Sequence, residues 1–207
     1  MNETIDILKS VGAVLSGGHF VGTSGLHFET YVNKDFLYPH TKETSRICRL
    51  IAEKYKNENI EVVVGPALGG IILSQWVANH LSEIYSKEVL AVYTEKGTSG
   101  EQVFTRGYDG YVKGGKRVLV VEDITTTGGS IQKTISAVNE VGGNIIGACA
   151  MVNKNKDLDK SIFGVPFDTL TNLFVTTYEK DVCPLCRNSV PINTNVGHGK
   201  KYLESLK

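Results

Sequence analysis

The sequence predicts an α/β fold in which a mainly parallel central sheet is flanked by helices. Short runs rich in valine and isoleucine alternate with longer segments whose apolar residues recur at helical spacing. The apolar run at 118–121 also suits a strand that is buried on both faces. Regular alternation of strand and helix produces a parallel sheet with helices on its faces.

The first elements precede this alternation. Apolar residues from Ile5 to Leu15 recur at helical spacing and predict an opening helix that ends before Gly17. Residues 19–32 are expected to form a hairpin around Thr23-Ser24-Gly25. The later elements are predicted as helices at 44–56, 71–81 and 131–141, and as strands at 62–65, 89–94, 118–122, 145–152 and near 173–177.

Composition limits the classes of function. At 207 residues the chain is long enough for one main domain with a sizeable core. Lys plus Arg equals Asp plus Glu at 22 each, so we expect neither nucleic acid nor membrane as a partner. The first residues lack the features of a signal peptide, and no apolar run approaches membrane-spanning length, which favours a soluble, cytoplasmic protein.

The clearest chemical signal is the acidic turn, which we define as residues 122–130. Glu122 and Asp123 end a buried strand, and a turn rich in hydroxyl groups and glycine then opens a helix. Backbone N–H groups and the positive end of that helix attract an anion. The two carboxylates can accept hydrogen bonds from vicinal sugar hydroxyls. The turn therefore predicts a site for a phosphorylated sugar. An ordinary capped turn would explain the threonines but not the adjacent acids.

The acidic turn resembles the phosphoribosyl diphosphate (PRPP) signature of the type I phosphoribosyltransferases. This resemblance implies the type I phosphoribosyltransferase fold, with the acids on the ribose hydroxyls, the turn on the 5′-phosphate, and magnesium bound with PRPP. The implied PRPP-binding residues are Glu122, Asp123, Ile124, Thr125, Thr126, Thr127, Gly128, Gly129, Ser130, Lys96, Ala67, Leu68 and Gly69.

Two further segments support the PRPP site. The glycine turn, residues 65–70, follows an earlier strand and in the resembled family presents N–H groups to the diphosphate, although such glycines can also serve tight packing alone. The polar segment 94–110 carries Lys96 and Arg106 and is expected to be mobile. Its cations could stabilise the departing diphosphate, and the alternative is a solvated surface loop. We therefore expect Lys96, Arg106 and Asp123 to be the catalytic residues.

Other segments are similar to the orotate-using members. Residues 18–20, 24–27 and Tyr31 resemble their N-terminal hood, and residues 183–186 resemble the tail of one branch. The resemblance divides the chain into an N-terminal helix and hood (1–40), a core (41–180) and a C-terminal tail with a Cys-x-x-Cys (181–207). It also implies a homodimer in which a loop of one subunit reaches the site of the other.

The resemblance implies that orotate contacts Thr126, Lys154, His27 and Phe28. Three departures bear on that base. Lys154 stands where these enzymes commonly have Arg, Phe28 where Ser is usual, and Gly69 where some members have Lys. A phosphoribosyltransferase for another base such as xanthine, or a PRPP-sensing regulator without catalysis, therefore stays an alternative.

The tail contains a candidate metal motif. Cys183 and Cys186 supply by spacing half of a structural zinc site, and His198 could add a third ligand. The alternative is a structural turn without metal. The histidines at 19, 27, 40 and 80 show no ligand spacing.

Overall fold

The computed structural model describes residues 2–22 and 24–206, so Thr23 of the predicted hairpin turn lies outside the described residues. The helices are α1 (Glu3–Ser10), α2 (Thr41–Lys54), α3 (Gly69–Tyr85), α4 (Asp109–Val112), α5 (Gly129–Glu140), α6 (Lys160–Phe163), α7 (Pro184–Arg187) and α8 (Gly199–Ser205). The strands are β1 (Val14–Leu15), β2 (Phe20–Val21), β3 (His27–Phe28), β4 (Tyr31–Val32), β5 (Val62–Pro66), β6 (Leu90–Lys96), β7 (Gln102–Val103), β8 (Arg117–Thr125), β9 (Asn144–Asn153), β10 (Phe167–Asn172) and β11 (Thr177–Tyr178).

A six-stranded sheet in the order β10-β9-β8-β5-β6-β7 forms the centre of the molecule. Its neighbouring strands pair in parallel, except that β7 runs antiparallel to β6. All five residues of β5 are buried, which is why this strand is a continuous apolar run rather than an alternating one. The predicted α/β architecture with a mainly parallel sheet is confirmed.

Helices cover both faces of this sheet. On β8, Leu119 and Val121 pack with residues of α2 and α3, whereas Val118 and Val120 pack with α5. Side chains alternate between the two faces of a strand, so one strand contributes to both halves of the core. The turns that follow β5 and β8 consequently lie at the same edge of a rigid sheet.

The two ends of the chain form a second, smaller structure. In the hood sheet, which consists of β2, β3 and β11, the predicted hairpin of β2 and β3 is joined by the C-terminal strand β11. Further along the tail, the N–H groups of Asn193 and His198 donate to the carbonyls of His19 and Val21 at 2.7 and 3.0 Å. Residues 177–178, which we assigned to the core, therefore belong to the hood sheet.

Two elements differ from their predictions. The last strand of the central sheet is β10, and the predicted strand at 173–177 is wrong. Leu173 is partly buried against the core but forms no strand there, and Phe174 is 56% exposed, whereas β10 pairs with β9 through a less apolar sequence. In the segment 94–110, β6 and β7 form a hairpin that is followed by the short helix α4. Among the described residues, the structure has no helix that is both long and apolar enough to span a membrane.

Candidate active site

The acidic turn connects β8 to α5 and is held in place by Gly128. This residue has a φ of +78°, and a Cβ added to it would lie 2.9 Å from the ring of Phe163. Its N–H donates to Oγ1 of Thr125 at 3.2 Å. The side chains of Thr126, Thr127 and Ser130 are exposed where α5 begins. Exposed hydroxyl groups at the N-terminus of a helix suit a bound phosphate.

The acidic pair lies at the end of β8 and is almost fully buried. Glu122 is 7% exposed and Asp123 is 4% exposed. Their carboxyl groups lie close enough to each other to share a hydrogen bond at the end of the strand. Burial, followed by the negative charge of Asp123, raises the pKa of Glu122 to about 8. Glu122 can therefore hold a proton near neutral pH until a ligand with hydroxyl donors stabilises its charged form.

Asp123 has two partners that the sequence did not reveal. Its Oδ2 atom lies 2.6 Å from Nζ of Lys34 and accepts a hydrogen bond from the hydroxyl of Tyr38 at 2.9 Å. Burial lowers the pKa of Lys34, but the charge and hydrogen bond of Asp123 outweigh that effect, so the net shift is upward. Lys34 thus stays charged beside the acidic pair. Nothing in its local sequence marks it, because the contact depends on the position of the hood segment over the sheet.

The glycine turn lies beside this ion pair. A Cβ added to Gly69 would overlap Oδ2 of Asp123 and lie 2.9 Å from Nζ of Lys34. A side chain at position 69 would therefore occupy the space that Lys34 and Asp123 fill here.

The glycine turn also has a packing role. A Cβ on Gly65 would collide with the backbone of Gly70, so these two glycines allow β5 and α3 to approach closely. The N–H of Ala67 donates to the carbonyl of Thr94 at 2.8 Å. This N–H group of Ala67 is therefore engaged within the protein, and the role of Ala67 in PRPP binding stays a prediction. Leu68, whose side chain is 81% exposed, and Gly69 complete the turn.

A cavity of about 740 Å³, here called the base pocket, lies between the hood and the acidic turn. Its lining consists of Val21, Gly22, Ser24, Leu26, Phe28, Thr30, Tyr31, Thr126, Thr127, Lys154, Asn155, Val175, Thr177 and His198. The rings of Phe28 and Tyr31 stack with an interplanar angle of 12°. Nζ of Lys154 lies 5.6 Å from the centre of the Tyr31 ring, and burial lowers its pKa. An aromatic wall with one partly buried cation suits a flat, anionic ring.

Three predicted site residues of this region lie in the base pocket, and one does not. Thr126, Lys154 and Phe28 line it, whereas His27 is fully buried and is not part of the lining. Since neighbouring residues of a strand point to opposite faces, a strand that directs Phe28 into the pocket directs His27 away from it. The prediction that His27 contacts the base is therefore wrong.

The predicted metal ligands are also arranged differently. His198 lines the base pocket, and the Sγ atoms of Cys183 and Cys186 lie instead with ring nitrogens of His19 and His27. The selection of His198 as the third ligand is therefore wrong. Spacing could not reveal the two histidines, because strand pairing in the hood brings them to the tail.

The predicted catalytic cations lie at the end of β6 and just after β7. Arg106 pairs with Glu95, the residue before Lys96, with 3.3 Å between its Nη2 atom and Oε1 of Glu95, and the hydroxyl of Thr105 donates to the same carboxylate. Lys96 is exposed at the end of β6. Neither Lys96 nor Arg106 lines the base pocket.

Comparisons with known proteins place this geometry in a family. Residues 34–179 match the family model described as the phosphoribosyl transferase domain. The chain is 38% identical over 190 residues to the orotate phosphoribosyltransferase of a Thermoanaerobacter species, covering 92% of this chain and 94% of that protein. It is 40% identical over 181 residues to the orotate phosphoribosyltransferase of Caldanaerobacter subterraneus, covering 86% and 88%. The crystal structure of orotate phosphoribosyltransferase from Aeropyrum pernix is similar with a TM-score of 0.66 and 28% identity, covering 81% of this chain and 92% of that one.

Proposed function

The chain belongs to the orotate phosphoribosyltransferases of the phosphoribosyl transferase domain family, and on this basis we propose that it transfers the phosphoribosyl group of PRPP to orotate. The products are orotidine 5′-monophosphate and diphosphate. The observation that carries the proposal is the base pocket, which joins an aromatic wall and the partly buried cation Lys154 to the exposed hydroxyls of the acidic turn.

The chemistry needs positioning and charge stabilisation rather than a covalent intermediate. The bond between N1 of orotate and C1 of the ribose forms as the bond from C1 to the diphosphate breaks, and positive charge develops on the ribose. Glu122 and Asp123 orient the ribose through its hydroxyls, and the acidic turn holds the 5′-phosphate. The negative charge of this buried pair also favours the cationic ribose.

The acidic pair also fits a magnesium ion that binds together with PRPP. Magnesium prefers hard oxygen ligands and is commonly held by one or two carboxylates plus substrate phosphates. Glu122 and Asp123 supply two carboxylates at the end of β8, and Lys34 forms an ion pair with that of Asp123. When bound, magnesium supplies positive charge to the diphosphate of PRPP.

Lys154 recognises the carboxylate of orotate in this proposal. Burial disfavours its charged form, and an anionic base compensates that cost. Replacing Lys154 with methionine keeps the apolar stem but removes the charge. We expect Lys154→Met to raise the KM for orotate on the order of tenfold or more, with little change in the KM for PRPP. Lys156→Met is the matched control, since Lys156 is exposed and does not line the pocket. Equal effects of the two variants would refute the assignment.

The loop cations Lys96 and Arg106 act on the site of a second copy of the chain, which makes the active enzyme a homodimer. Neither cation lines the base pocket of its own chain, and Arg106 pairs instead with Glu95, which supports this arrangement. The test mixes two inactive variants, Lys96→Ala and Asp123→Asn. A mixed dimer then contains one site with both defects and one intact site, so activity returns on mixing. If each loop served its own chain, both sites would stay defective and mixing would restore nothing.

A further inference from the structure

We propose that His19, His27, Cys183 and Cys186 bind a structural zinc ion that joins the C-terminal tail to the hood. The four side chains, here called the His/Cys cluster, offer one ligand atom each, and these atoms all lie within 4.8 Å of one another. His19, His27 and Cys183 are at most 2% exposed, and Cys186 is partly buried. Among the described residues, no other group of three or more potential metal ligands lies this close together.

The distances approach those of a tetrahedral site. Sγ of Cys186 lies 3.4 Å from Nδ1 of His27 and 3.8 Å from Nε2 of His19, and Sγ of Cys183 lies 3.9 Å from that same Nε2. Zinc bonds to sulfur and nitrogen at the usual lengths separate neighbouring ligand atoms of a tetrahedron by about 3.3 to 3.8 Å. The two nitrogens are closer, at 2.7 Å, so binding requires a movement of about half an ångström between the rings.

The second hydrogen bond of His19 supports a ligand role. Nδ1 of His19 lies 2.7 Å from the carbonyl oxygen of Val190. A carbonyl only accepts, so Nδ1 carries the proton and Nε2 presents its lone pair to the cluster. Metal-binding histidines are commonly oriented by donation from the other ring nitrogen to a backbone carbonyl. The tail thus supplies two cysteine ligands and also the group that orients one histidine.

The ligand types select the metal and its role. Two thiolates and two imidazoles in a tetrahedral arrangement are typical of zinc, and four protein ligands leave no position for a substrate. A disulfide between Cys183 and Cys186 is the main alternative for a Cys-x-x-Cys, but it would leave two buried imidazoles facing each other without a charged partner. The zinc ion explains all four residues together.

The site has a structural consequence for the base pocket. Cys183 and His19 are 164 positions apart in the sequence, and the ion would link them directly. His27 precedes Phe28, which lines the base pocket, and both residues pair with β11 of the tail. Loss of the ion is therefore expected to loosen the hood and not the central sheet. If the proposed function holds, the KM for orotate then rises while the KM for PRPP changes little.

The first test measures metal directly and does not depend on enzymatic activity. The full chain is purified under reducing conditions, its zinc content is measured by mass spectrometry, and the ion is exchanged for cobalt(II). We expect one zinc per chain and a cobalt spectrum with the intense bands of a tetrahedral site containing thiolates. A wild-type chain that takes up neither metal, or that contains a Cys183–Cys186 disulfide under these conditions, would overturn the proposal.

Variants identify the ligands. Changing both Cys183 and Cys186 to serine should abolish binding, whereas Cys48→Ser, at a buried cysteine outside the cluster, and His198→Ala should retain one zinc per chain. Should the double variant fail to fold, Cys186→His keeps a competent ligand, and its cobalt bands should shift because one thiolate is lost. An unchanged cobalt spectrum in Cys186→His would refute the assignment.

Discussion

Gly128 offers the sharpest test of how the acidic turn is built. Two effects act against a Cβ at this position. A φ of +78° costs a non-glycine residue about 1–2 kcal/mol. In addition, the new Cβ would lie 2.9 Å from two ring atoms of Phe163, closer than a normal carbon contact of about 3.5–4.0 Å. Overpacking of this kind costs about 1–3 kcal/mol. Gly128→Ala should therefore destabilise the chain by about 2–5 kcal/mol.

Gly142 is a matched control for the backbone effect. It has a φ of +79°, but an added Cβ would meet nothing within 4 Å. Gly142→Ala should therefore cost only the backbone part, about 1–2 kcal/mol. Urea unfolding of both variants and the wild type gives each free energy of unfolding, and the difference between the variants measures the steric contacts of the new Cβ, mainly with Phe163 and also with Leu158 at 3.3 Å. Equal losses in the two variants would refute the steric argument.

A second substitution tests the contact itself. Phe163→Leu shortens the side chain that the new Cβ would meet, at the cost of some packing in the core. The double variant Gly128→Ala/Phe163→Leu should lose about 1 kcal/mol less than the sum of the single losses. Strict additivity would show that the ring of Phe163 does not restrict residue 128.

Three further results are expected. Lys34→Met should lower the free energy of unfolding by about 1–3 kcal/mol, because it leaves the buried carboxylate of Asp123 without its cation. Since the side chain of Lys34 is partly exposed to solvent, we expect a loss near the lower end of this range. The control Lys42→Met lies on the exposed side of α2, and an equal urea midpoint for both would contradict the pairing. PRPP binding at about pH 7 should release protons, because ribose hydroxyls favour the charged form of Glu122, whose pKa near 8 lies above its ordinary value and falls on binding. Calorimetry in buffers of different ionisation enthalpy measures this release, which should disappear in Glu122→Gln. Lys96→Ala should reduce turnover on the order of a hundredfold with little change in thermal stability, and a parallel loss of both would refute its catalytic role.

Local sequence patterns predicted the inner strands β5, β8 and β9 of the central sheet well because most of their residues are buried on both faces. The acidic turn is a local feature too, so its strand, acids and helix start could be found from adjacent residues. The strand β10 was missed because an edge strand containing two threonines and an aspartate is less apolar than the segment that follows it. Hydrophobicity alone favoured the wrong segment.

Long-range contacts account for the other differences. Lys34 reaches Asp123 across 89 positions only because the hood folds over the end of the sheet. His19 and His27 meet the tail cysteines through pairing among the short hood strands, and such two-residue strands carry too little pattern to predict their partners. His27 and Phe28 point in opposite directions because successive side chains of a strand alternate between its two faces. Applying this alternation to each residue of the predicted hairpin would have shown that His27 and Phe28 cannot both face the base pocket.

Turnover with defined bases most directly tests the claim that the protein transfers the phosphoribosyl group of PRPP to orotate. Purified protein is mixed with PRPP, magnesium and orotate, and the loss of orotate absorbance is followed. Hypoxanthine, xanthine and uracil are tested in parallel through diphosphate release. The account predicts rapid consumption of orotate and negligible release with the other bases. Turnover with another base in place of orotate, or PRPP binding without any turnover, would contradict it.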